Sequence, residues 1–291
     1  YQCKSITGNL VIPDATTSIG NYCFTSCTFN GTLTLGNGLQ TIGESAFGGN
    51  QSLVGDLTIP VTVTSLGASA FSGNVGFNRH LTIDSGINIP FACFYDCRNF
   101  SKLTIAEGVN IIGESAFENL SSITGNLKLP NSITSIGARA FFGCSKIDGY
   151  LSLGPNITSI GDCAFVKSID SEEIIQEKEK LSTDPDMDYY DRIIYDDTYY
   201  SAIFSKIYIQ SSLPPTITIK SFGLKETTIS DKRFIKREIV ERQPGWSRKR
   251  QYDIYNAYRY RGSYPNHLIV PTGCTANYSD WEVDLIEEVD F

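Results

Sequence analysis

A short apolar–polar–apolar triplet occurs seven times along the chain, at 10–12, 33–35, 57–59, 81–83, 103–105, 127–129 and 151–153. Its first residue is always Leu and its third is Ile or Leu. The middle residue is polar in six of the seven: Thr34, Thr58, Thr82, Thr104, Lys128 and Ser152. Alternation with period two predicts a strand with one buried and one open face. Pro13, Gly36, Pro60, Pro130 and Gly154 follow directly and end it. A second apolar patch, Ile-Gly-x-x-Ala-Phe, runs in step with the triplets, and "IGESAF" stands verbatim at 42–47 and 112–117. The closing rings are Phe24, Phe47, Phe71, Phe94, Phe117, Phe141 and Phe165, spaced by 23, 24, 23, 23, 24 and 24 residues.

A fixed period of this length is the mark of a solenoid. One unit has an apolar side that it cannot bury alone, so stacked units bury each other's and pair strand with strand. The predicted coil is a strand, a turn and the Ile-Gly-x-x-Ala-Phe patch, with each Phe filling one coil in a continuous buried stack. The residue before Phe is Ala or Cys because the interior is crowded there. The Gly after Ile is predicted to mark a positive φ or a tight turn.

The stretches "LTIPVTVTSLGASAFSGN" (57–74) and "LKLPNSITSIGARAFFGC" (127–144) make the pattern specific. They resemble the BspA-type leucine-rich repeat, with Pro or Gly after the strand. The resemblance covers residues 1–168. It implies a curved, right-handed stack of coils made mostly of strands and turns. Residues 169–291 are predicted to be atypical C-terminal coils and a cap. Within them "KIYIQSSLPPTITIKSFG" (206–223) resembles a penultimate coil, and "HLIVPTGCTANYSDW" (267–281) resembles a closing strand with a capping turn or helix. The family's bacterial surface and secreted proteins imply an extracellular or cell-surface location, and adhesion for some members. The chain opens partway through a coil, with Cys3, Gly8 and Leu10 in phase with Cys144, Gly149 and Leu151. Further coils, a cap or a removed leader upstream are therefore expected.

Two insertions interrupt the period. Residues 170–200 are acidic and rich in tyrosine, including Tyr189, Tyr190, Tyr199 and Tyr200. Residues 224–265 are basic and aromatic, including Trp246, Tyr252, Tyr255, Tyr258 and Arg259. Three readings stay open for them. They pack on each other as one cap; their aromatic surface binds a ligand or partner, since Tyr and Trp beside Arg are favoured at interfaces; or they stay unfolded, as charge-rich inserts do. These nine residues are the candidate ligand or partner surface. The outward strand positions read instead as a bland cross-strand hydroxyl ladder, which directs binding toward the inserts.

The formal net charge of −8 argues against nucleic acid as a partner. No apolar run is long enough for a membrane span. Eight cysteines are an even number, but Cys27, Cys97 and Cys144 occupy equivalent positions in different coils, too far apart to bridge. Buried free thiols are the first reading, and a local Cys23–Cys27 bridge is the second. Metal binding fits poorly, since paired ligand knuckles are missing. The acids at 184–188 resemble the start of a calcium loop but fail it, with Tyr189 where Gly is needed and Tyr195 where Glu is needed. His80 and His267 have no partners at catalytic spacing, and His80 is placed just ahead of a strand. No catalytic residue, cofactor or metal is assigned. The sequence thus reads as a monomeric, non-enzymatic binding or adhesion module for a host or bacterial surface protein or glycan. The alternative is a spacer within a larger surface protein.

Overall fold

A computed structural model describes residues 3, 6–168, 200–202, 206–210, 216–217, 267–271 and 285–289. The seven triplets are strands: β1 (Leu10–Val11), β3 (Leu33–Thr34), β5 (Leu57–Ile59), β7 (His80–Ile83), β8 (Lys102–Ile105), β10 (Leu127–Lys128) and β12 (Leu151–Leu153). Each opens one coil, numbered 1 to 7. Pairing is parallel and in phase with the repeat: Leu57 faces Leu81, which faces Leu103, and Leu127 faces Leu151. The alternation holds in space, since Leu57 and Ile59 are fully buried while Thr58 between them is exposed.

A second sheet was not foreseen. The residues ahead of the repeat glycine form two-residue strands: β2 (Ser18–Ile19), β4 (Thr41–Ile42), β6 (Ser65–Leu66), β9 (Ile111–Ile112), β11 (Ser135–Ile136) and β13 (Ser159–Ile160). They too pair in parallel from coil to coil. Two residues are too few to show an alternation.

The phenylalanine stack is present. Neighbouring rings from Phe24 to Phe165 lie 5.1–5.5 Å apart and within 21° of parallel. Six of the seven rings are fully buried. Phe24 is only half-buried, with a stacked ring, Phe47, on one side alone. A second interior column runs beside the first through Phe29, Leu53, Phe77, Phe100, Ile123 and Ile147, with Phe77 and Phe100 stacked at 5.3 Å.

The repeat glycine plays a different role from the predicted one. Its φ is not positive. It is needed because the previous coil comes too close: a Cβ on Gly67 would lie 2.3 Å from Glu44 N, and one on Gly137 would lie 2.5 Å from Glu114 N. The left-handed conformations fall two residues later, at Tyr22, Ser45, Ser69, Ala92, Ser115, Arg139 and Cys163, with φ between 48° and 57°. A second set falls two residues after the Phe, at Ser26, Gly49, Gly73, Asp96, Asn119 and Gly143.

Strand pairing is not continuous either. The long sheet is interrupted between β3 and β5 and between β8 and β10. Both breaks fall where the spacing of triplets lengthens, from 23 to 24 and from 22 to 24 residues. At the second break Leu103 and Ile105 are only half-buried, whereas their counterparts Leu81 and Ile83 are fully buried. Coil 4 is one residue short between its triplet and its Phe, and carries Pro90 in place of the glycine. It contributes a single bridge, Ile89 to Ile112, where the other coils have a strand.

Beyond coil 7 the long sheet continues. β16 (Lys206–Ile209) pairs with β12, β18 (His267–Pro271) with β16, and β19 (Leu285–Val289) with β18, all parallel. In the second sheet, β17 (Thr216–Ile217) pairs with β13. These strands extend the two sheets in the same parallel sense. The predicted cap otherwise lies outside the described residues.

Candidate functional site

The backbone needs of each coil are met from the next. A column at the third residue after Phe holds Cys27, Asn50, Asn74, Cys97, Leu120 and Cys144. Asn74 donates to the carbonyls of Phe47 and Phe71 and accepts from Asn50 N at 2.8 Å. The Cys97 thiol donates to Phe71 O at 3.0 Å, and the Cys144 thiol to Phe117 O at 3.3 Å. Cys and Asn therefore alternate here because both can donate to that carbonyl. Burial away from water pushes the Cys97 and Cys144 thiols up to about 12. Cys93 is raised for the same reason, with Cys97 nearby adding to it. Cys23 and Cys27 are both free, so the local bridge is not formed. Cys23 is exposed, contrary to the buried-thiol expectation, because it sits on the half-covered coil 1. Among the described residues no group of His, Cys, Asp and Glu could hold a metal ion, and no helix is long and apolar enough to cross a membrane.

With the interior assigned to packing, the outer face of the long sheet is the surface to inspect. Two rows of side chains point outward from it. One is the expected row of Thr34, Thr58, Thr82, Thr104, Lys128 and Ser152, all exposed or half-buried. The other lies two residues ahead in each coil: Asn9, Thr32, Asp56, His80, Lys102, Asn126 and Tyr150. In β7 and β8, which include His80 and Lys102, strand alternation places both rows on the same face, and Tyr150 is placed beside the row of Lys128 by its ring contact. The face is therefore not the bland hydroxyl ladder expected.

Its coils 4 to 7 are distinct from the rest. His80 is the first residue of β7, not a residue ahead of a strand, and its Nε2 lies 2.8 Å from Thr104 Oγ1 on β8. Lys102 is paired in register with His80. Lys128 Nζ lies over the Tyr150 ring, 5.8 Å from its centre. Neither row carries a carboxylate in these coils. The carboxylate of the neighbouring coil, Asp56, has Arg79 at 3.7 Å.

The turns that carry the Phe stack show another kind of surface. Tyr22, Phe91 and Tyr95 are exposed there, and the Tyr22 hydroxyl donates to Glu44 at 2.5 Å. Arg139 holds the buried Glu118 carboxylate with two hydrogen bonds, at 3.0 and 2.5 Å, and lies 3.9 Å from the centre of the Phe142 ring.

Of the predicted partner surface, only Tyr200 is described, through its backbone. It opens β15 (Tyr200–Ala202), which pairs antiparallel with β14 (Val166–Ser168), Ser168 facing Tyr200. The acidic insertion is thus bracketed by this strand pair. Tyr189, Tyr190, Tyr199, Trp246, Tyr252, Tyr255, Tyr258 and Arg259 lie outside the described residues. Sequence reasoning missed the row of His80, Lys102 and Tyr150. The available signal was that each stands two residues ahead of the outward position in its triplet.

No curated protein matches this chain in sequence. Among solved structures, a leucine-rich repeat protein from Bacteroides ovatus is 19% identical with a TM-score of 0.32, covering 54% of this chain and 57% of its own. The pneumococcal vaccine antigen PcpA is 15% identical with a TM-score of 0.40, covering 97% of this chain and 68% of its own. The family model for the BspA-type leucine-rich repeat region matches residues 1–124 and 87–184 in six copies. With coils of the matching period stacked in space, the chain belongs to the BspA-type leucine-rich repeat family.

Proposed function

We propose that this chain is a non-catalytic, monomeric binding module of the cell surface or extracellular medium, and that it recognises a protein or a glycan. Membership of a repeat family whose stacked coils offer broad surfaces supports the reading. The observation that carries it is the outer face of coils 4 to 7. His80, Lys102, Lys128 and Tyr150 fill no part of the core, yet they interrupt a face that threonine and serine would complete. The aromatic residues of the two insertions, Trp246 and Tyr255 among them, are proposed as a second contact region.

A structural spacer is the other reading, favoured by the threonines of coils 2 to 5, which offer no anchor. The test is an array of immobilised glycans and extracellular matrix proteins. It is probed with the full chain, with the Lys102→Glu/Lys128→Glu variant, and with a chain lacking residues 170–199 and 224–265. Binding by the full chain, weakened in at least one variant, supports the module. A chain that binds nothing on the array is a spacer.

A further inference from the structure

We propose that the outer face of coils 4 to 7 binds an acidic glycan, a polysaccharide bearing carboxylate or sulfate groups. This rests on the reading of the chain as a binding module and names the chemistry of its ligand. The first argument is charge. The chain as a whole carries −8, yet here two lysines stand on adjacent coils with no carboxylate in either outward row. Both ammonium groups are solvent-facing: Lys102 and Lys128 are exposed, and neither has an ion-pair partner among the described residues. The acids of the same coils, Asp84, Asp96, Glu107, Glu114, Glu118, Asp148 and Asp162, stand outside the two rows.

The second argument separates a glycan from an acidic polypeptide. Protein partners are anchored by apolar and aromatic side chains that become buried at the centre of the contact. Among the described side chains of coils 4 to 7 this face has none beyond the Tyr150 ring, and its other positions are three hydroxyls, the Asn126 amide, the His80 imidazole and the two lysines. A sugar chain needs that inventory: hydroxyls and amides for its own hydroxyls, and a ring for the C–H face of one sugar. Thr104 and Ser152 supply the hydroxyls, Tyr150 the ring, and Lys102 and Lys128 the counter-charge. The Tyr150 ring and the Lys128 ammonium are already held together, so a sugar stacked on one brings its acid group to the other. His80, fixed against Thr104, closes the coil 4 end. Paired strands repeat about every 4.8 Å, close to the rise of one sugar unit in an extended glycan. An extended chain laid across β7 and β8, or across β10 and β12, would therefore meet a similar polar row once per unit, with the break between β8 and β10 lying between the two pairs.

Affinity electrophoresis of the full chain through gels containing polygalacturonate, dextran sulfate, neutral dextran or poly-glutamate tests this. Retardation is expected with at least one of the two acidic polysaccharides and with neither neutral dextran nor poly-glutamate. Lys102→Glu/Lys128→Glu should weaken it about tenfold or more, and Tyr150→Ala several-fold. Lys146→Glu, the charge change of either lysine substitution alone but outside the two rows, should leave it within about twofold. Added salt should weaken it steeply, since exposed charges are screened within about 8 Å at 0.15 M. Circular dichroism of each variant checks that the fold is kept. Retardation by poly-glutamate equal to that by the polysaccharides overturns the assignment in favour of an acidic polypeptide. Equal loss in Lys146→Glu, or none in the double variant, overturns the site. No retardation in either acidic polysaccharide overturns the ligand class, and the module reading still stands if the array returns another partner.

Discussion

Replacing Asn74 by Ala removes three hydrogen bonds from the interior of coil 3, and the structure shows which of them cannot be made good. Asn74 is fully buried. Phe47 O loses Asn74 but keeps Asn50 Nδ2 at 2.7 Å, and Phe71 O loses Asn74 but keeps the Cys97 thiol at 3.0 Å. Only the Asn50 amide, which donates to Asn74 Oδ1, is left with no acceptor. One orphaned buried donor costs about 1–3 kcal/mol, and each of the two bonds lost with a surviving partner costs about 0.5–1 kcal/mol. The expected loss is about 2–5 kcal/mol. Asn74→Cys should cost about half of that. A thiol here has precedents on both counts: Cys97 donates to the carbonyl of the coil before it, and Cys27 accepts from Cys3 N at 3.2 Å. Urea denaturation followed by circular dichroism measures both variants, with the slope checked for constancy. Amide exchange at Asn50 reports the orphaned donor directly. A loss below about 1 kcal/mol for Asn74→Ala, or equal losses for Ala and Cys, would refute the ladder as a stabilising device.

Phe71→Ala should cost about 3–5 kcal/mol in the same assay, since its ring is stacked on both sides, at 5.1 and 5.5 Å. Phe24→Ala, with a half-buried ring, should cost visibly less. Stability should fall as pH rises from about 9.0 toward about 12, because Cys97 and Cys144 keep their protons when folded and lose them near 9.0 when unfolded. The slope is up to about 1.4 kcal/mol per pH unit per thiol, and a double Cys→Ala variant should flatten it in alkaline denaturation curves. Arg139→Ala should cost about 2 kcal/mol in thermal or urea unfolding, because the buried Glu118 carboxylate loses a two-point partner. A neutral Gln at 118 should recover part of that loss.

Repetition made the core legible. Seven copies of Leu-x-Ile or Leu-x-Leu and of the closing Phe fix a register that no single copy could, and the rings stack where that register puts them. The second column was hidden because its positions vary among Phe, Leu and Ile, so no single letter recurs through all the coils. The second sheet was hidden because two residues carry no alternation. The repeat glycine was recognised, but its reason was not: positive φ is a property of one residue, while the contact that excludes a Cβ comes from the neighbouring coil. The outer face was half legible. Thr58, Thr82 and Thr104 follow from the triplet. His80 and Lys102 join them only once β7 and β8 are seen to begin before their leucines, and Tyr150 only once its ring is seen beside Lys128. The insertions gave compositional signals, and all but Tyr200 of the residues singled out there lie outside the described structure.

The most direct test of binding through the outer face is lysine footprinting of the full chain with and without its strongest array ligand. Acetylation is quantified site by site by mass spectrometry. The account predicts that the ligand protects Lys102 and Lys128 and leaves Lys146 as reactive as before. Protection confined to lysines of the insertions, or equal reactivity of Lys102 and Lys128 in both states, would contradict it.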